Sequence, residues 1–204
     1  MLKRLIGRNR YTVSCVCDPD ETRVAAASER CGGCPSFPTL TEALEKDSAD
    51  SSAVSFEAVV LMIPHHLHEP VALQAFGAKK HTLLEKPLAT TVDACRRILA
   101  AAEQSGVVFA VAENAQFIPD FVKAKELIDS GAIGDIYFCK ANLWESTVTS
   151  EFAGGFAQGW RSDMKLAGPF GTHSAILEQL ASTVARASAD SGLHRRHCRR
   201  WQHN

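Results

Sequence analysis

No apolar run in this 204-residue sequence approaches the length needed to cross a bilayer: Ala58 to Pro64 and Val107 to Ala112 are strand-sized. The chain also lacks an excess of either charge. Its 22 Lys+Arg against 23 Asp+Glu leave a formal net charge of −1, too little to gather nucleic acid or press the protein onto an anionic membrane. Met1 to Arg10 carries Lys3, Arg4, Arg8 and Arg10 without an acid, but it has no apolar core of the secretory kind. Internal repeats are absent. So is an even cysteine set: seven cysteines in a chain too large to need stapling imply free thiols and a reducing compartment, with the cytoplasm as the expectation. What remains, at 46% hydrophobic and 22% charged residues, is a globular chain with one full domain plus a fragment.

Cys15, Cys17, Cys31 and Cys34 form a C-x-C…C-x-x-C set whose thiolates could reach one tetrahedral zinc ion. The plainer reading is preferred, and no metal is expected. Cys15 and Cys17 alternate along an apolar strand, Tyr11 to Cys17, as small core residues of one face, while Cys31-Gly32-Gly33-Cys34 lies in a turn.

The apolar pattern alternates between strand and helix. Met1 to Gly7 reads as the end of a helix, and the strand Tyr11 to Cys17 leads through Asp18-Pro19-Asp20 to a helix from Glu21 to Arg30. Thr39 and Glu42 suggest a capping box before a short helix Glu42 to Lys46, and Asp47 to Ser55 reads as a loop. Ala58 to Met62 is a continuous apolar strand, Glu69 to Phe76 a helix, His81 to Leu84 a strand. A helix from Thr91 carries Val92, Cys95, Ile98, Leu99 and Ala102 on one stripe and stops at Gly106, before a strand Val107 to Val111. Then come an amphipathic helix, Asp120 to Asp129, with Phe121, Ala124, Leu127 and Ile128 on its stripe, and a strand Ile136 to Leu143. Strands alternating with helices at this spacing predict an α/β fold with right-handed crossovers and an open parallel sheet. Ligands of such sheets bind at the carboxyl ends of the strands, so Asp18, Pro64 to His68, Glu85-Lys86-Pro87 and Glu113-Asn114 should meet in one crevice.

Three spaced motifs, IPHHLHEPVALQAFGAKKHTLLEKPLATT, AENAQFIP and KELIDSGAIGDI, together make Ile63 to Asn142 resemble the glucose-fructose oxidoreductase, inositol dehydrogenase and MocA (Gfo/Idh/MocA) family. VSCVCDPDETR upstream and QGWRSDMKLAG downstream extend the likeness to about residues 11 to 168. The resemblance implies a Rossmann-type domain and an NAD(P)-dependent oxidoreductase. Hydride would pass between the nicotinamide and a hydroxyl or carbonyl carbon of a sugar, polyol or related small molecule. It gives Lys86, in the E-K-P turn, the catalytic place beside the nicotinamide, where an amine can take the hydroxyl proton as hydride leaves. A cis bond before Pro87 is implied as well. Asp18 is read as the carboxylate on the adenosine ribose, which favours NAD over NADP. Pro64, His65 and His68 fall in the cofactor loop, with His65 standing where an asparagine is usual. Glu85 positions the turn, Asn114 contacts the carboxamide or substrate, and Arg161 of the Trp160-Arg161 pair holds an anionic substrate group.

The same resemblance exposes departures. A Rossmann domain opens with a strand and a G-x-G-x-x-G turn that lets the backbone approach the pyrophosphate, and no such turn occurs in this sequence. The missing strand is the central one of the 3-2-1-4-5-6 order, and its loss leaves edges on its neighbours. His173 has no aspartate at the family spacing. The organisation expected is therefore an incomplete dinucleotide-binding domain over 1–118, the start of a smaller α+β domain over 119–170, and an atypical basic tail over 171–204. The expected partners are a small-molecule substrate and a second copy of the chain through the second domain, not nucleic acid or membrane. The rival reading is a non-catalytic binding or oligomerisation protein that keeps the fold.

Overall fold

The computed structural model describes residues 11–49, 54–136, 138, 140 and 163–167. They form two compact units interleaved along the chain.

The first unit comprises Met1–Met62, Leu67–Leu84 and Asp93–Ala110. Strand β1, Val16–Cys17, runs into helix α1, Glu21–Arg30. Asp20 caps this helix, its carboxylate accepting the Thr22 and Arg23 amides at 3.0 Å each, the role for which Asp is favoured there. Strand β2, Ser36–Phe37, pairs parallel to β1 with Val16 opposite Ser36. Helix α2, Leu40–Ala49, follows. Thr39 starts it: its hydroxyl accepts the Glu42 amide at 3.3 Å and meets the Glu42 carboxylate at 3.1 Å.

Strand β3, Ala58–Leu61, helix α3, His68–Gly77, strand β4, His81–Leu84, helix α4, Val92–Ser105, and strand β5, Phe109–Val111, form the second half of this unit. β3 and β4 are parallel, and the sheet order is β3-β4-β5. α3 packs on β3 and β4, and its Phe76 meets Phe109 edge to face with ring centroids 5.2 Å apart. The core is made by Leu44, Val59, Leu61, Ala72, Ala75, Phe76, Leu84, Ile98 and Ala102. Two charges are nearly enclosed beside it: Lys80 pairs with Asp47 at 2.6 Å and lies 4.7 Å from the centroid of the Phe56 ring.

The α/β architecture with parallel strands is therefore observed. Among the described residues the strands fall into two sheets, β2-β1 and β3-β4-β5. The strand order within each sheet is that of the 3-2 and 4-5-6 parts of the Rossmann order 3-2-1-4-5-6.

The second unit comprises Ile63–His66, Glu85–Val92 and Val111–Asn204. Its described elements are helix α5, Pro119–Asp129, and a single turn α6, Met164–Ala167.

Several expected details shift. β1 is limited to two residues because its partner is two residues long, and Cys17, expected in the core, is exposed. α2 runs beyond both expected ends, since Thr39 caps it at Leu40. On the α5 stripe Phe121, Ala124 and Ile128 are partly sheltered while Leu127 is 40% exposed, so the described residues supply no cover for it. Ile136 is not in a strand. The remainder of that expected strand is mostly outside the described residues, as are the helix at 1–7, Arg161, His173 and the basic tail.

Candidate functional site

The loops that leave β3, β4 and β5 at their carboxyl ends supply Ile63–His66, Glu85–Val92 and the chain from Val111, and these belong to one compact unit. Pro64, His65, Glu85, Lys86 and Asn114 are thereby gathered in it. Lys86 and Glu85 are half-buried, Asn114 is exposed, and the Lys86–Pro87 peptide is cis.

His65 is 7% exposed and its Nδ1 lies 2.8 Å from the Ala167 carbonyl oxygen. A carbonyl only accepts, so Nδ1 is the donor, and the ring ties the loop after β3 to α6, 102 residues along the chain. Sequence reasoning gave His65 a cofactor contact and missed this tether, for which the sequence carries no local signal.

Asp18 and His68 belong to the other unit. His68 is fully buried at the first turn of α3. Asp18 ends β1, half-buried, and its Oδ1 accepts the Asp20 amide at 2.9 Å. Arg23, unremarked in the sequence, grips it: Nη2 reaches Oδ1 at 2.9 Å and Nε reaches Oδ2 at 3.1 Å. The guanidinium holds the Asp18 carboxyl below the usual carboxylate range, against the opposing effect of burial. A carboxylate offers about four acceptor positions, so Oδ2 retains capacity for a ribose hydroxyl. The residues present thus suit the adenosine end of a dinucleotide.

Among the described residues no group of three or more His, Cys, Asp or Glu could hold a metal ion, and no helix is long and apolar enough to cross a membrane.

Comparison with known proteins gives these placements a context. Residues 2–113 match the model of the oxidoreductase family with NAD-binding Rossmann fold, Gfo/Idh/MocA. The chain is 29% identical over 136 residues to 2,7-anhydro-N-acetylneuraminate hydratase of Escherichia coli, covering 66% of this chain and 34% of that protein. It is 29% identical over 125 residues to inositol 2-dehydrogenase of Corynebacterium glutamicum, covering 61% and 35%. The crystal structure of GenD2 from gentamicin A biosynthesis in complex with NAD is similar with a TM-score of 0.56 and 34% identity, over 64% of this chain and 35% of that one. The chain therefore spans about a third of the length of these relatives. With the family model covering more than half of its residues, the chain belongs to the Gfo/Idh/MocA oxidoreductases, whose NAD-binding domain is of the Rossmann fold.

Proposed function

We propose that this chain serves an NAD-dependent oxidoreductase acting on a hydroxyl or carbonyl carbon of a small polyhydroxylated molecule, a sugar, polyol or relative, with Lys86 as the catalytic residue. The observation that carries this reading is the gathering of three carboxyl-end loops, with the half-buried Lys86 in the cis-proline turn among them. Inositol 2-dehydrogenase among the similar proteins supports the substrate class.

NAD, when bound, supplies the hydride acceptor. The chain's own residues do the rest. The Lys86 amine takes the proton of the substrate hydroxyl as the C–H bond breaks, and returns it in the reverse direction. Glu85 fixes the turn and Asn114 offers an amide to the carboxamide or substrate. Asp18 accepts hydrogen bonds from the adenosine ribose hydroxyls, Pro64, His65 and His68 shape the nicotinamide loop, and Arg161 holds an anionic substrate group. NADP is the alternative cofactor, because Arg23 beside Asp18 offers a cation for a 2′-phosphate. The chain works on its substrate as part of a homo-oligomer joined through the residues after 118.

The second reading is a non-catalytic binding or oligomerisation protein that keeps the fold and takes up no dinucleotide. Thermal melts with NADH, NADPH and their oxidised forms separate the two. Cofactor binding raises the melting temperature by mass action, and Lys86→Met keeps that rise while losing turnover by about 100-fold or more. A melting temperature indifferent to all four dinucleotides overturns the enzyme reading in favour of the second.

A further inference from the structure

The turn that closes α1 carries two thiols that the proposed chemistry does not use. Past Arg30 the Gly33 amide donates to the Ser28 carbonyl at 2.9 Å and the Gly32 amide to the Glu29 carbonyl at 3.1 Å, a Schellman closure. Gly32 and Gly33 have φ of +79° and +80°. The chain turns there, and the side chains of the residues on either side of the two glycines meet in a hydrogen bond. The flanking residues are Cys31 and Cys34. Ser28 pins both: its carbonyl accepts the Cys31 amide at 2.9 Å and its hydroxyl donates to the Cys34 carbonyl at 2.5 Å. Both thiols are free and half-buried. Burial, and next the Cys31 thiol beside it, pushes the Cys34 thiol up from its ordinary value.

Cys15 and Cys17 offer a competing pairing: alternate residues of an extended segment, they touch through their side chains, which pulls the Cys15 thiol down and pushes the Cys17 thiol up from their ordinary values. That contact lies along a straight segment and not across a turn, and the peptide map tells the two bridges apart. Cys15 stands next to Pro35 across the β1–β2 pair, on a separate segment without the shared Ser28 anchor.

The geometry points to a modification site: Cys31 and Cys34 close into an intramolecular disulfide by exchange with a low-molecular-weight disulfide such as oxidised glutathione. The Cys31 thiolate attacks one sulfur of the small disulfide, whose S–S bond breaks and releases the first small thiolate, leaving a mixed disulfide. The Cys34 thiolate then attacks the Cys31 sulfur, forms the protein bridge and displaces the second small thiolate. The protein is oxidised by two electrons, the small disulfide is reduced to two thiols, and the two protons given up by the cysteines end on them. The bridge fastens the end of α1 to the approach to β2, in the same segment that carries Asp18. Closure quickens as pH rises, because the thiolate is the attacking form.

The test is to incubate the reduced full chain with oxidised glutathione, quench with acid, alkylate, and map the peptides by mass spectrometry, with the exposed Cys17 as internal reference. The wild-type chain is expected to lose two hydrogens within the single peptide that holds residues 31–34. Cys34→Ser is expected to trap one stable glutathione adduct on Cys31 and to form no bridge. Stable adducts on both Cys31 and Cys34 of the wild type, a bridge from Cys34 to Cys15, or reaction at Cys17 with the pair left unoxidised would each overturn the assignment.

Discussion

Arg23 clasps Asp18 through two of its nitrogens, Nη2 2.9 Å from Oδ1 and Nε 3.1 Å from Oδ2, so the carboxylate that ends β1 shares its place with a cation one helical turn into α1. For a dinucleotide site these two charges pull in opposite directions: the carboxylate favours ribose hydroxyls, and the guanidinium favours a 2′-phosphate. Arg23→Gln is expected to lower NADPH affinity relative to NADH by about 10-fold, roughly 1.4 kcal/mol, as read by calorimetric titration of each. It should also let Asp18 titrate closer to the usual carboxylate range, which carbon-detected NMR follows directly. The fold should be little affected, since the Arg23 side chain is 65% exposed and such pairs contribute under about 1 kcal/mol. An unchanged NADPH-to-NADH ratio counts against this role.

The Lys80–Asp47 pair is a different case, because their side chains are only 15% and 13% exposed. Asp47 also accepts the Phe56 amide at 3.1 Å, and Lys80 donates to the Phe56 carbonyl at 2.8 Å. Lys80 holds the Asp47 carboxyl below its ordinary value. A lowered folded pKa contributes stability that is fully present above the unfolded carboxylate value, about 3.9, and is lost as pH falls through the folded one. Denaturant midpoints should therefore drop over that acid interval in the wild type. In Lys80→Met this acid dependence should flatten, and at neutral pH the variant should lose about 2 to 3 kcal/mol through the unpaired carboxylate.

Lys79 sits at φ 58°, the only non-glycine among the described residues with positive φ, where the chain leaves α3. Its amide donates to the Phe76 carbonyl at 3.0 Å and the Lys80 amide to the Ala75 carbonyl at 2.9 Å, the same helix closure that glycine serves after α1. Lys79→Gly relieves the left-handed strain and should stabilise the fold by about 0.5 to 1 kcal/mol, seen as a higher melting temperature. The side chain's bond to the Ser105 carbonyl, 3.0 Å long and exposed, offsets little of that gain.

Neighbours on α4 should respond oppositely to truncation. Ile98 is fully buried and Leu99 is 52% exposed. Ile98→Ala should cost about 3 kcal/mol through lost burial and the cavity left behind, while Leu99→Ala should stay within about 0.5 kcal/mol of wild type in urea titrations.

Much of this architecture is written locally. Glu21–Arg30 and His81–Leu84 stand where the apolar rhythm and the Asp20 and Gly32 punctuation put them, because those signals act within one turn of chain. β2 escaped notice because Ser36 and Phe37 lie between two prolines and become a strand only through the neighbouring β1. The strand and loop pattern put Glu85, Lys86 and Asn114 just after the carboxyl ends of β4 and β5, where the structure has them. Arg23 and Ala167 did not announce themselves, since a salt bridge five residues apart and a tether of 102 residues depend on how the backbone has already folded.

Side chains, and no backbone ladder among the described residues, couple the two sheets of the first unit: Gln74 donates to the Thr41 hydroxyl at 2.7 Å and Lys80 to the Asp47 carboxylate at 2.6 Å. Cutting both ties together, as Gln74→Ala with Lys80→Met, should speed amide deuteration in Leu40–Ala49 more than either change alone, since each remaining tie still holds that helix against its neighbour.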